Sequence, residues 1–190
     1  ADAIRDAGVP LDFLHVTSMW DAAGGIYRLT RLIRDRKPDV LQGWMYHGDL
    51  FAAAANLIVP GSRRLYWGVR ASDTVQGGYG WLVRLCARLS RLPELIVANS
   101  QSGLDFHCAQ GYRPRRAEVI PNGVDIEKFH PDLATRSALR QEFGLPQDAI
   151  VAIHVARLDP MKDHATFLKA MRMLPAFRGL LVGAGTETLD

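Results

Sequence analysis

Residues 150–163 read IVAIHVARLDPMKD, and the parsing of that stretch decides the fold. Residues 149–155 form a β-branched, aliphatic run of strand length that ends near Val155. A loop carrying Arg157 and Lys162 follows. Asp163 stands where an N-cap would open a helix over 163–174, because Phe167, Leu168, Met171 and Leu174 recur at helical spacing. Residues 179–182 read as a second strand. The result is one βαβ unit, right-handed if its strands share a sheet. A ligand over the loop would meet two cations and the free N–H groups of a helix start, which carries about half a positive charge. Such a place wants an anion, and a diphosphate fills it best. Charge pattern alone leaves another reading open, in which Arg157 pairs with Asp159 and Lys162 is a solvated surface lysine.

Working outward, residues 11–16, 39–44, 64–69, 94–99 and 117–120 read as strands. Residues 25–36, 49–58 and 102–110 read as helices, as does a segment that follows the Gly77-Gly78 loop and ends near Arg91. This alternation predicts an α/β fold with a parallel sheet covered on both faces. The turn Asn122-Gly123-Val124-Asp125 divides the chain into 1–125 and 126–190. The 65 or so residues after the turn are too few to complete a doubly wound domain.

Composition narrows the function classes. The 190 residues are 48% hydrophobic and 23% charged, which is ordinary for a folded domain. No apolar run reaches the ~18–20 residues of a membrane span, and no basic-then-apolar leader is evident at the start. Two cysteines, Cys86 and Cys108, make no disulfide framework and lack metal-ligand spacing, so a cytoplasmic setting is expected. The net charge of +3 rests on nineteen arginines and four lysines. Arginine suits anionic ligands or lipid surfaces, and the excess is too small to indicate nucleic acid. Residues 79–92 place Arg84, Arg88 and Arg91 on one helical face and Trp81, Leu82, Leu85 and Leu89 on another. That helix either packs on the core or makes peripheral contact with the inner membrane face. No histidine spacing and no Asp-x-Asp pair indicate a metal.

Three motifs in order carry a family resemblance: Val97-Ala98-Asn99-Ser100, then Val119-Ile120-Pro121-Asn122-Gly123-Val124-Asp125 with Phe129 and Pro131, then Val155-Ala156-Arg157-Leu158-Asp159-Pro160-Met161-Lys162-Asp163. Together they resemble family 4 retaining glycosyltransferases. The last is similar to that family's strand–Gly-Arg-Leu–Asp-x-x-Lys-Gly stretch. The resemblance implies a GT-B-like α/β fold: a Rossmann-type parallel-sheet domain missing its first strand, then the first βαβ unit of a second Rossmann-type domain. It implies transfer of a sugar from a UDP- or GDP-sugar to an acceptor glycan or lipid, with retention and without a cofactor. Arg157 and Lys162 would hold the donor diphosphate and stabilise it as it leaves. Three departures stand out. Ala156 replaces the family's glycine, the Gly-rich first loop would precede residue 1, and the paired glutamates would lie beyond Asp190. The chain is therefore expected to be the middle of an enzyme and inactive by itself.

Weaker candidates surround this loop. Gly183 and Gly185, in a Gly-x-Gly turn after a strand, are either a tight turn or a donor contact. Arg70 follows a strand end, where open α/β sheets place ligands, or else pairs with Asp73. His47, Ser100 and Asn122 join Arg70 on the acceptor side, with Ser100 also a natural N-cap and His47 a helix-capping or solvated residue. Rival readings are a GT-B sugar-nucleotide epimerase and a non-catalytic nucleotide-sugar-binding fragment. A dinucleotide oxidoreductase fails for want of GxGxxG.

Overall fold

The computed structural model describes residues 2–71 and 80–188, which fall into two compact units, Ala1–Gly123 and Val124–Asp190. The Gly77-Gly78 loop and Asp73, the alternative partner of Arg70, lie outside the described residues.

The first unit runs α1 (Asp2–Asp6), α2 (Ala22–Arg36), β1 (Val40–Trp44), α3 (Met45–Ile58), β2 (Arg64–Val69), α4 (Gly80–Leu89), β3 (Leu95–Ala98), α5 (Gln101–Ala109) and β4 (Ala117–Val119). The strand expected over 11–16 does not form. His15 takes a left-handed φ of 45° that breaks the extended run, and Arg28 of α2 donates from Nε to the Leu14 carbonyl at 2.8 Å. The helix expected over 49–58 begins four residues earlier. Met45 turns through φ 62° immediately after β1, so His47 lies inside the first turn of α3 rather than in a strand-end loop.

Four parallel strands stand in the order β1-β2-β3-β4, with Gln42 beside Tyr66 beside Leu95, and Trp44 beside Gly68 beside Val97. Sequential order with right-handed crossovers returns every helix to the same side of a sheet. Accordingly Leu65, Trp67, Val69, Ile96 and Ala98 pack against Ala52 and Ala53 of α3, Leu82, Val83 and Cys86 of α4, and Leu104 of α5. Side chains one position out of phase face the other way. Among them Tyr66, Leu95 and Val97 are half-buried and line an open cavity, so among the described residues the helices cover one face. Glycine permits the closest approach in this core: a Cβ on Gly43 would stand 2.5 Å from the Asp49 Cα of α3. His107 pins α5 to α3, with Nδ1 donating to the Gly103 carbonyl at 2.7 Å and Nε2 accepting from the Tyr46 hydroxyl at 3.1 Å. On α4 the buried residues are Leu82, Val83, Cys86 and Ala87, and Trp81 is 54% exposed beside Arg84 and Arg88. The sequence placed Trp81 on the apolar face. The residues that pack are offset from it by one position.

The second unit contains α6 (Leu133–Glu142), β5 (Ile150–Val155), α7 (His164–Arg172) and β6 (Phe177–Val182). β5 and β6 pair in parallel from Ile150 beside Phe177 to Val155 beside Val182, with α7 as the crossover. Phe167 and Met171 of α7 close over Gly179 of β6. The buried Arg140 of α6 donates to the carbonyls of Pro146, Gln147 and Ala149, which ties the helix to the entry of β5. Among the described residues, every buried apolar side chain belongs to the first unit. Ile150, Ile153 and Val155 of β5 are exposed. No described helix is long and apolar enough to cross a membrane.

Candidate functional site

The loops after β5 and β6 are joined by their backbones. The Ala156 N–H donates to the Val182 carbonyl at 2.9 Å, and the Leu158 N–H to the Ala184 carbonyl at 2.8 Å. Gly183, at φ 150°, lies so close that a Cβ there would stand 2.2 Å from the Ala156 carbonyl oxygen. Gly185, at φ 85°, passes the Leu158 side chain with no room to spare, its Cβ position being 3.0 Å from the Leu158 Cβ. The two glycines thus set the height of the Arg157 loop at the carboxyl ends of two parallel strands, where α/β sheets take ligands.

Arg157 is mostly exposed, and one side of its guanidinium is engaged. Nε and Nη2 donate to Asp159 Oδ2 at 3.2 and 2.9 Å. Asp159 Oδ1 accepts from the Met161 N–H at 2.9 Å, and this bond together with the one from Arg157 holds the carboxyl below its ordinary range. The pairing therefore exists, but as a brace that fixes the guanidinium through Nε and Nη2. Lys162 is exposed at the end of a 3₁₀ turn, Pro160–Lys162, and both cations act on Asp159. The start of α7 is less open than the sequence suggested. Asp163 caps it by accepting from the Thr166 N–H at 3.2 Å, and hydrogen bonds from Thr166 hold this carboxyl low as well. Asp163 has a φ of 48°, a conformation that costs Asp less than most residues and Gly nothing. Two cations and two carboxylates thus share the loop.

Behind the loop, the rings of His154 and His164 meet edge to face at 4.6 Å, and Phe167 lies 5.2 Å from His154. Among the described residues, Nε2 of His154 and both ring nitrogens of the buried His164 have no hydrogen-bond partner. The sequence offered no signal for this pair, because a strand residue and a helix residue ten positions apart meet only through the crossover.

In the first unit, Arg70 and Asn122 come together across 52 residues, Arg70 Nη2 donating to Asn122 Oδ1 at 3.3 Å. Both line a cavity of about 540 Å³ with Gln42, Trp44, Tyr66 and Asn99. The Arg70 guanidinium carbon lies 4.7 Å from the centroid of the Trp44 ring. Ser100 is the N-cap of α5, accepting from the Gly103 N–H at 3.1 Å, next to the cavity residue Asn99. His47 is exposed on α3 and does not line the cavity. Sequence reading missed Trp44, Gln42, Tyr66 and Asn99. The available signal was phase: Gln42 and Trp44 are two residues apart on one face of β1, and Tyr66 lies beside Gln42 in β2.

The sequence model of Glycosyltransferase Family 4 matches residues 6–128. A D-inositol 3-phosphate glycosyltransferase of Geodermatophilus obscurus is 41% identical over 86 residues, covering 41% of this chain and 19% of that protein. The structure of Anabaena HepE in complex with UDP-glucose superposes with a TM-score of 0.78 at 21% identity, covering 96% of this chain and 50% of HepE. The complex of HepE with UDP gives 0.80 at 21% identity, covering 98% and 51%. The chain thus spans about half of the solved neighbour and a fifth of the curated relative. At this identity HepE shows a shared GT-B fold. The family match ends before Arg157, so the loop rests on geometry and motif, while the match over the first unit establishes that this chain belongs to Glycosyltransferase Family 4.

Proposed function

We propose that this chain carries the donor-diphosphate loop and the acceptor-side domain of an enzyme that transfers a sugar from a UDP- or GDP-sugar to an acceptor hydroxyl, with retention. The observation that carries the reading is the Arg157 loop, braced by Asp159 and seated on Gly183 and Gly185, with the exposed Lys162 on the adjoining turn. The names of the relatives and the UDP-glucose bound to HepE support it. On this reading residues 126–190 begin the donor domain and residues 1–125 belong to the acceptor side. Arg157 and Lys162 stabilise the diphosphate as the bond from the anomeric carbon to its oxygen breaks. The acceptor oxygen bonds that carbon, and its proton passes to a leaving phosphate oxygen. The acceptor is a lipid-linked sugar, polysaccharide or small glycoside, and the setting is cytoplasmic. The exposed Trp81, Arg84 and Arg88 of α4 support peripheral contact with an anionic membrane face.

The test is UDP and GDP binding to the 190-residue chain by saturation-transfer NMR and calorimetry. Arg157→Ala and Lys162→Ala should each weaken the preferred nucleotide about ten-fold, the loss of one charge-assisted contact. Unchanged binding in both variants would overturn the assignment.

A further inference from the structure

Resting on the reading that the first unit receives the acceptor, we propose that Trp44 and Arg70 select it, and that the acceptor is a sugar ring bearing an anionic group, a phosphate or a carboxylate. The pair sits at the carboxyl ends of β1 and β2, the ligand side of an open parallel sheet. The cavity beside it, about 540 Å³, falls within the roughly 300–1,000 Å³ of small-molecule sites.

Trp44 supplies the surface for the ring. It stands opposite Gly68 in the neighbouring strand, and a Cβ on Gly68 would lie 2.4 Å from the indole. With only hydrogen there, the indole lies down across β2 instead of standing away from the sheet. It remains 48% exposed. A flat, half-exposed indole with Gln42, Tyr66, Asn99 and Asn122 around the same cavity presents an apolar floor and hydroxyl-binding walls, the combination a sugar ring requires.

Arg70 supplies the charge. Its guanidinium is positioned by two contacts that do not neutralise it: the Trp44 ring at 4.7 Å and the neutral Asn122 Oδ1 at 3.3 Å. Among the described residues it has no carboxylate partner, whereas Arg157 is answered by Asp159. Among the described residues one of its five donors is used, and the others can meet an oxyanion.

The experiment titrates the 190-residue chain with glucose 6-phosphate, glucuronate, glucose and inorganic phosphate, followed by saturation-transfer NMR. A charged sugar should bind at least ten-fold more tightly than glucose, and whichever charged sugar binds better identifies the anion. Arg70→Gln should abolish that preference, and Arg70→Lys should restore part of it. Trp44→Leu should weaken every sugar about ten-fold and leave inorganic phosphate unaffected. Equal binding of glucose and the charged sugars, no binding of either charged sugar, or no effect of Arg70→Gln in a variant that melts like the parent would each overturn the proposal. UDP added to the same samples reports the second unit independently. UDP binding without a charged-sugar preference refutes this inference and leaves the donor reading intact. Charged-sugar binding without UDP binding refutes the donor reading alone.

Discussion

Asp49 has no exposed surface and sits on the inner face of α3, one turn from its start. Oδ1 accepts from the Gly68 N–H at 3.3 Å, and Oδ2 has no hydrogen-bond partner among the described residues. Burial pushes this carboxyl up to about 8, so it is largely protonated at neutral pH. Its neighbour Cys86 is pushed up to about 12, chiefly by burial, and is a packing residue rather than a reactive thiol. The folded state holds the Asp49 proton more tightly than the unfolded chain, whose carboxyl has the ordinary value of 3.8. Stability from this group is therefore complete below the unfolded value and falls as pH rises toward about 8, by at most about 1.4 kcal/mol per pH unit. Asp49→Asn removes that dependence. Urea midpoints at pH 5 and pH 7.5 should show the parent losing stability relative to the variant as pH rises. Parallel behaviour of the two would mean that Asp49 is ionised in the fold. The exposed carboxylates held low in the loop and caps act in the opposite direction at acid pH, but they are common to both proteins and cancel in the difference.

At the scale of elements, the chain is punctuated by side chains that cap helices. Ser100 opens α5, Asp132 opens α6 by accepting from the Ala134 and Thr135 N–H groups, and Asp163 opens α7. Ser100→Ala should cost about 1 kcal/mol, and Ser100→Gly only a few tenths, because Gly suits the N-cap backbone. Thermal denaturation distinguishes the two. Equal losses would show that the serine hydroxyl does something other than cap. The caps and the apolar periodicity of α7 were legible in the sequence because they are local, spanning three or four residues. Residues 11–16 misled for the same reason: their composition suits a strand, but a strand needs a neighbour, and here His15 and Arg28 commit the backbone elsewhere. The phase of α4 was read one residue out because Trp81 is apolar yet lies on the outer side.

For the molecule as a whole, the two units differ in how much they bury. The first has a continuous core around Trp67, Ile96 and Leu82, whereas the second joins two strands and a helix over a pair of histidines. Two strands with one covered face are marginal in water. Hydrogen exchange should therefore proceed at least ten-fold faster at the backbone amides of β5 and β6 than at those of Trp67, Val69 and Ile96. Equal protection in both units would show that the second draws stability from contacts beyond its own core. Nucleotide binding should slow exchange selectively in β5 and β6 if the Arg157 loop is the donor site.

By itself the sequence determined the alternation of strands and helices, the helix caps, the turn near Asn122 and the strand–loop–helix parsing around Arg157 and Lys162. Each of these depends on residues close together in the chain. Only the tertiary structure decided that the described helices pack on one shared face of the sheet, that Asp159 braces Arg157, that Gly183 presses on Ala156, and that Trp44, Arg70 and Asn122 meet. Those outcomes depend on strand order and register, which bring residues up to 52 positions apart into contact. The loop that first identified the fold is local in sequence, but its shape is set by the glycines of the next strand.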